Sequence, residues 1–353
     1  MKDDRHWMRR ALALAERGAG RTSPNPLVGA VVVRDDQVLA EGWHEALGGA
    51  HAEPAALARL DPGRAAGATL YVNLEPCCHH GRTPPCTDAV LAAGLDRVVV
   101  GIQDPNPAVA GKGLAILRAA GLAVDVGVEA DACRALNGGY LKRIATGLPR
   151  VWLKAGCTLD GRITDHAGRS EWITGPGARA HGHGLRDRLD AILVGSATLL
   201  SDDPSLNCRL EGGRDPLPVV LDSDLRCPAD AKVLTAGRRS RIYCAPDAPD
   251  RPLHADIVRV PRGAGGLDLG AVLRDLASIG VLELLVEGGG RVHRSLLDAG
   301  LADRLLLFVA PKVLAGGMGF VGGPPLDLSD ACTFTVLDVS TVGGEVLIEL
   351  EVS

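Results

Sequence analysis

Thr69-Leu-Tyr-Val-Asn-Leu74, followed by Glu75-Pro76-Cys77 and, after eight residues, Cys86, reads as a strand running into a thiol-bearing loop. A β-branched and aromatic run of this length ended by proline predicts a strand. Upstream, the apolar run Leu27–Val33 and the stretch Val38–Trp43 flank Arg34-Asp35-Asp36, which predicts a hairpin. Residues 4–17 place Trp7, Met8, Ala11, Leu12 and Ala15 at helical spacing, and His51–Leu60 also reads as a helix. Downstream, a helix over 86–93, a mostly valine strand Arg97–Ile102, a helix over 112–120 and a strand Val124–Val128 continue the alternation. Strands alternating with helices predict a layered α/β domain around a largely parallel sheet.

Residues 129–146 read as a helical exit and Gly147–Arg150 as a linker. Apolar runs then resume at Val151–Ala155, Ala191–Val194, Pro218–Leu221, Leu282–Glu287 and Arg304–Val309, with a final pair at 334–338 and 345–351. Helical patterns intervene near 176–188, 268–279 and 291–299. The expectation is two α/β domains, residues 1–147 and 148–353, consistent with roughly 100–200 residues per domain.

Composition narrows the function classes. Hydrophobic residues make up 46% and aromatic ones only 3%, so aliphatic side chains build the cores and no stacking platform for single-stranded nucleic acid is available. The net charge of −5, without any Lys/Arg run, also argues against nucleic-acid binding. Nine scattered cysteines, the charged opening Met1–His6 and the lack of any apolar run near about 18 residues predict a cytoplasmic protein without signal peptide or membrane span.

Metal chemistry gathers in the first domain. His51 and Glu53 stand in the first turn of a helix, Cys77 follows a strand, and Cys86 opens another helix. One imidazole and two thiolates make a three-ligand zinc site with a fourth position free for water, and a carboxylate beside it that is not a ligand can move protons. Zn²⁺ is therefore expected on His51, Cys77 and Cys86, with Glu53 as acid–base. If the zinc were only structural, a fourth ligand would be needed, with Cys78 or His79 the candidates.

His51-Ala-Glu53 with Glu75-Pro-Cys77 matches the zinc-deaminase signature, except that eight residues instead of two separate the cysteines. Pro24-Asn-Pro-Leu-Val-Gly-Ala30, Gly42-Trp-His44 and His79-His-Gly-Arg-Thr-Pro-Pro-Cys86 closely resemble the deaminase domain of the bifunctional riboflavin-biosynthesis deaminase/reductases. Cys78 stands where that family usually carries Ser. In the second half, Leu153–Arg162, Ser170–Pro176, Ala191–Thr198, Asp202–Leu206 and Val286-Glu-Gly-Gly289 look like the family's reductase domain. On its own, Leu285–Arg291 is a strand entering a glycine-rich turn and helix, a weak signal for a phosphate at backbone N–H groups.

The resemblance implies a cytidine-deaminase-like layered domain followed by a dihydrofolate-reductase-like α/β domain. It implies hydrolytic loss of ammonia from C2 of 2,5-diamino-6-(5-phosphoribosylamino)pyrimidin-4(3H)-one, then NADPH reduction of the ribosyl side chain to ribityl. Asn25 and His44 are implied to contact the base, and His79, Arg82 and Thr83 the ribose phosphate. Gly156, Trp172, Thr198, Asp202, Ser223 and the turn Gly289, Gly290, Arg291, Val292, His293, Arg294 and Ser295 are implied to line the NADPH site. Ser170, Arg186, Leu206, Arg209 and Glu287 are implied to contact substrate, with Lys154 and Asp202 handling protons. A homo-oligomer, dimer or tetramer, is expected. The competing reading is a nucleoside- or tRNA-type zinc deaminase whose second domain only binds a ligand.

Overall fold

The computed structural model describes residues 3–80, 84–171, 173–235 and 237–353. It separates into two compact units, Met1–Gly147 and Leu148–Ser353.

The first unit begins with α1 (Asp4–Ala15), whose N-cap Asp3 accepts from the His6 backbone N–H and satisfies one of the helix's orphan donors. Strands β1 (Gly29–Arg34) and β2 (Gln37–Trp43) form the expected hairpin. Asp35 and Asp36, at φ 52° and 59°, make the left-handed two-residue turn that suits the twist of the paired strands. The elements α2 (Ala52–Leu57), β3 (Thr69–Leu74), α3 (Cys86–Ala92), β4 (Arg97–Ile102), α4 (Lys112–Ala119) and β5 (Ala123–Val126) follow. Among the described residues the sheet order is β2-β1-β3-β4-β5, antiparallel across β1 and parallel from β3 onward. The helix expected to reach Leu60 ends at Leu57, and the helical exit breaks at Asn137 into α5 (Ala130–Leu136) and α6 (Gly138–Thr146).

Alternation of side chains sorts the two faces of this sheet. Ala30, Val32, Leu70, Val72, Val98 and Val100 pack with Ala52 and Ala56 of α2, Val90 of α3 and Leu117 of α4. The other face is covered by α1, whose buried Trp7 lies 6.5 Å from the Tyr71 ring. A Cβ on Gly42 would stand 2.4 Å from the Ala56 nitrogen and 2.6 Å from the Ala52 oxygen, so glycine is what lets α2 lie directly on β2.

The second unit holds β6 (Arg150–Thr158), α7 (Pro176–Arg188), β7 (Ala191–Gly195), α8 (Ser196–Asp202), β8 (Leu217–Leu221), α9 (Lys232–Thr235), β9 (Ser240–Cys244) and β10 (Ala255–Arg259). These are followed by the short hairpin β11 (Arg262–Gly263) and β12 (Gly266–Leu267), α10 (Leu269–Ser278), β13 (Glu283–Val286), α11 (Gly290–Asp298), β14 (Arg304–Ala310), β15 (Phe334–Val342) and β16 (Glu345–Val352). The main sheet runs β10-β9-β8-β7-β13-β6-β14-β16-β15, parallel up to β14 and antiparallel at β16 and β15. Ala191 and Leu193 enter one core while Ile192 and Val194 enter the opposite one, as expected for a strand buried on both faces. Sequence reading missed β9 and β10. Arg241 inside β9 and the charged Asp256 and Arg259 in β10 break the apolar runs, because these strands approach the open edge of the sheet, where charge discourages further pairing.

Candidate active sites of the two units

In the first unit, three donor groups meet where α2, the loop after β3 and α3 begin. His51 Nδ1 lies 3.2 Å from Cys86 Sγ and 3.5 Å from Cys77 Sγ, and the two sulfurs are 3.4 Å apart. Ligands at 2.0–2.3 Å from one tetrahedral zinc stand about 3.5–3.8 Å from each other, so this triangle fits that ion with little adjustment. Among the described residues, these three are the group of His, Cys and acidic side chains that could hold a metal.

Glu53 is buried, and burial pushes its carboxyl up to about 7, with the nearby Cys77 charge adding to the rise. The Cys77 thiol is pulled down to about 4, chiefly by its hydrogen bond with Cys86 and then by His51. Cys86 is pushed up by the same bond with Cys77 and by burial. The crowded pair therefore holds one ready thiolate, with the second thiol sharing its proton.

His44 is buried and edge-on to His51, its ring centroid 5.4 Å away. Its Nδ1 meets the Ala50 carbonyl at 2.9 Å, so Nδ1 carries the proton and Nε2 accepts from Asn25 Nδ2 at 3.1 Å. The structure thus joins Asn25, His44 and His51 in one cluster. His79 is exposed, while Arg82 and Thr83 lie outside the described residues.

Several buried groups that sequence reading missed hold this site. Asn73 accepts from Gly29 N at 2.8 Å and donates to Leu27 O at 2.9 Å, while Asn137 accepts from Leu27 N at 2.8 Å, fixing the loop that carries Asn25. Glu75 accepts from the backbone N–H groups of Asp104, Gly111 and Leu114 at 3.2, 2.9 and 3.2 Å, anchoring the loop after β4 behind Cys77. In the sequence Asn73 shows as a polar residue inside an apolar run and Glu75 as the first residue of Glu-Pro-Cys.

In the second unit, the carboxyl ends of the parallel strands frame a cleft of about 520 Å³. Its lining brings together the expected Lys154, Gly156, Ser170, Arg186, Asp202, Arg209 and Glu287. Arg186 donates to Glu287 through Nε at 3.2 Å and Nη2 at 2.7 Å, and to the Asn207 carbonyl at 2.8 Å. Burial works against the Glu287 charge, but Arg186 and Lys154 outweigh it and hold the carboxyl below the usual range. Ser170 Oγ stands 3.5 Å from Asp202 Oδ2. Arg179, His183, Ile163 and Thr174 also line the cleft and went unread. Arg179, His183 and Arg186 recur at one helical face of α7, a stripe visible in the sequence once the helix is granted.

The glycine turn after β13 is packed against two other backbone segments. A Cβ on Gly288 would come 3.0 Å from the Gly195 nitrogen, and one on Gly290 would meet the Gly319 oxygen at 2.5 Å. Two backbone turns thus press together at the start of α11, and Gly289 N donates to Thr198 Oγ1 at 3.1 Å. Arg291 and Ser295 line a further cleft of about 630 Å³ shared with the β11–β12 hairpin. The other expected residues lie differently. His293 is buried with Nδ1 2.9 Å from the Phe320 carbonyl, and Leu206 is buried at φ 53° in the core, while Arg294 lines the same 630 Å³ cleft and is held by Asp298 at 2.7 Å. Val292 packs against Gly195, and the Ser223 carbonyl accepts from Ala245 N at 2.9 Å. Trp172 lies outside the described residues.

Known proteins share this arrangement. A family model for the cytidine and deoxycytidylate deaminase zinc-binding region matches residues 1–102, and one for the RibD C-terminal domain matches residues 149–348. The chain is 41% identical over 363 residues to riboflavin biosynthesis protein RibD of Escherichia coli, covering 98% of this chain and 99% of that one. The chain belongs to the RibD family. RibD of Actinobacillus pleuropneumoniae is 39% identical over 356 residues, covering 98% of this chain and 94% of that protein. The crystal structure of a diaminohydroxyphosphoribosylaminopyrimidine deaminase/5-amino-6-(5-phosphoribosylamino)uracil reductase from Thermotoga maritima superposes with a TM-score of 0.91 at 37% identity, covering 99% of each chain. As a RibD-family member the protein is a bifunctional enzyme of riboflavin biosynthesis, with a zinc deaminase domain of cytidine-deaminase-like fold and a reductase domain of dihydrofolate-reductase-like fold.

Proposed function

We propose that the first unit hydrolytically deaminates 2,5-diamino-6-(5-phosphoribosylamino)pyrimidin-4(3H)-one at C2, and that the second reduces the ribosyl side chain of the product to ribityl with NADPH. The observation that carries the reading is the triangle of His51, Cys77 and Cys86 with buried Glu53 beside it. Those three side chains would hold the zinc, which when bound supplies a water acidic enough to ionise near neutral pH. Glu53 takes the proton of the attacking water and returns it to the departing nitrogen. Asn25, its amide oriented by His44, contacts the pyrimidine, and His79, Arg82 and Thr83 receive the ribose phosphate. The alternative of a closed structural site has little support, since Cys78 Sγ turns toward the Ala108 carbonyl, 4.0 Å away.

In the reductase cleft, NADPH when bound supplies the hydride. The turn Gly289–Ser295 at the start of α11 would line the side of the site that receives its phosphates, and Gly156, Trp172, Thr198, Asp202 and Ser223 would complete that site. Arg186 and Arg209 grip the substrate phosphate, with Ser170, Glu287 and the Leu206 backbone alongside. Lys154 and Asp202 move the proton that accompanies the hydride.

The exposed Val336, Leu337 and Val339 on the edge strand β15 support a homo-oligomer, dimer or tetramer. Nine free cysteines support a cytoplasmic location. The net charge of −5 supports the absence of a nucleic-acid partner, and among the described residues no helix is long and apolar enough to cross a membrane.

The test feeds purified protein the diaminopyrimidine phosphate with and without NADPH. Ammonia release without cofactor, followed by NADPH oxidation that depends on that release, is expected. NADPH oxidation on the undeaminated substrate, or no ammonia, would overturn the assignment.

A further inference from the structure

His183 carries an unanswered hydrogen-bonding question. It sits on α7 one turn before Arg186, and its ring lines the 520 Å³ cleft, yet its Nδ1 is buried with no hydrogen-bond partner. The cost of such an orphan, about 1–3 kcal/mol, is commonly retained where a ligand supplies the missing partner. The ring also interacts with the Asn207 backbone, the same segment whose carbonyl accepts from Arg186 Nη1 at 2.8 Å.

The surroundings decide which ligand. Arg179 and Arg186 face the cleft from the same helix, Glu171 precedes that helix, Lys154 stands on β6, Asp202 ends α8, Arg209 comes from the loop after it, and Glu287 follows β13. Burial, then Arg186 and Arg209, push the imidazolium down, while Glu287 and the Asn207 backbone pull the other way. In the ligand-free protein the ring is therefore neutral at pH 7, with the cationic excess of the cleft unspent. A phosphate monoester, whose second proton leaves near about pH 6, enters as a dianion and reverses that balance.

We propose that His183 is a third ligand of the substrate phosphate beside Arg186 and Arg209, and that it binds as the imidazolium. It takes one proton from solvent as the phosphate enters, and the imidazolium then donates to a phosphate oxygen. This inference rests on the reductase reading of the cleft, from which its test can be separated.

Ribose 5-phosphate is titrated into the full chain by calorimetry at pH 7.5, in two buffers of different ionisation enthalpy. The wild type should take up between zero and one proton on binding, with a fraction well above zero. His183→Gln should lose that uptake and bind about ten- to hundredfold more weakly, and its reductase KM should rise with kcat little changed. Arg186→Ala and Arg209→Ala serve as the second arm. If they weaken binding while His183→Gln keeps both affinity and proton uptake, the His183 proposal falls and the cleft reading stands. If no variant alters binding, or the wild type binds no ribose 5-phosphate, both fall. His183→Asn, the shorter amide, and an unchanged unfolding temperature of the second unit in every variant guard against misfolding as the cause.

Discussion

His51 Nδ1 and Cys86 Sγ meet at 3.2 Å although 35 residues separate them in sequence. The contact exists because the starts of α2 and α3 converge where β3 ends, and it leaves no ligand to spare. Cys86→Ala should therefore reduce bound zinc from one per chain to near zero after dialysis, read by elemental analysis, and abolish ammonia release. The reductase step, assayed on the deaminated intermediate, should persist. Full zinc occupancy in the variant would remove the metal assignment.

Glu53 is asked to move a proton and not to bind metal. Glu53→Gln keeps the volume and some hydrogen bonding but cannot accept a proton, so zinc content should remain while deamination slows about 10²–10⁴-fold. Parallel loss of zinc would mean that Glu53 is instead a structural support of the site.

Much of this was legible in the chain itself. Thr69–Leu74 and Arg97–Ile102 form strands at the residues where the apolar runs begin and end, because buried parallel strands read as unbroken hydrophobic stretches. His51, Cys77 and Cys86 were visible because metal-binding side chains are few and clustered. By contrast, β9 and β10 were hidden by their charges. Asn73 gave no signal, and Glu75 showed its place in the Glu-Pro-Cys motif but not its anchoring role, because their partners are backbone groups, which any sequence supplies. Arg186 sits in a helix crowded with charges, and only the family resemblance marks it as a substrate contact. Its burial against Glu287 depends on a strand 101 residues away, which no local pattern reports.

A glycine remote from the chemistry should matter as much as a ligand. Gly42→Ala puts a methyl group 2.4 Å from the Ala56 nitrogen, against helix backbone that cannot yield without moving α2. Since α2 begins directly after His51 and carries Glu53, zinc affinity and deamination should both fall, and the first unit should lose about 1–3 kcal/mol of stability. Unchanged zinc affinity and melting temperature would show that the helix can shift without cost to the site.

The docking of α1 gives a pH dependence. Asp4 accepts from Arg97 at 2.9 and 2.7 Å and from the Tyr71 hydroxyl at 2.8 Å. Arg97 lowers its carboxyl below the ordinary value, burial opposes this, and Tyr71 adds to the lowering. A depressed carboxyl contributes stability that is present above its unfolded pKa of about 3.9 and disappears as pH falls through the folded value. Asp4→Asn should cost about 1 kcal/mol at pH 7 for this partly exposed pair, and the gap from wild type should close below about pH 3. A gap that stays constant down to pH 2 would assign the effect to the helix terminus and not to the ion pair.

Glu287 should link stability and catalysis in the second unit. Its carboxylate meets Arg186 in two near-parallel bonds, with side-chain exposures of only 13% and 16%. Glu287→Gln removes the counter-charge and leaves a guanidinium largely shielded from water, a change that costs about 3–5 kcal/mol when a buried pair loses one partner outright and less where an amide still accepts a bond. The expected result is a lower unfolding temperature for the second unit, with the first unit's transition unmoved. The freed Arg186 should also grip phosphate differently, so the reductase KM should change while ammonia release by the other domain does not. Replacing both residues, Arg186→Met with Glu287→Leu, should restore much of the stability but none of the reduction, because apolar side chains can fill the space without binding an anion. If the double variant reduced substrate normally, the pair would be packing alone, and the phosphate would have to be held elsewhere.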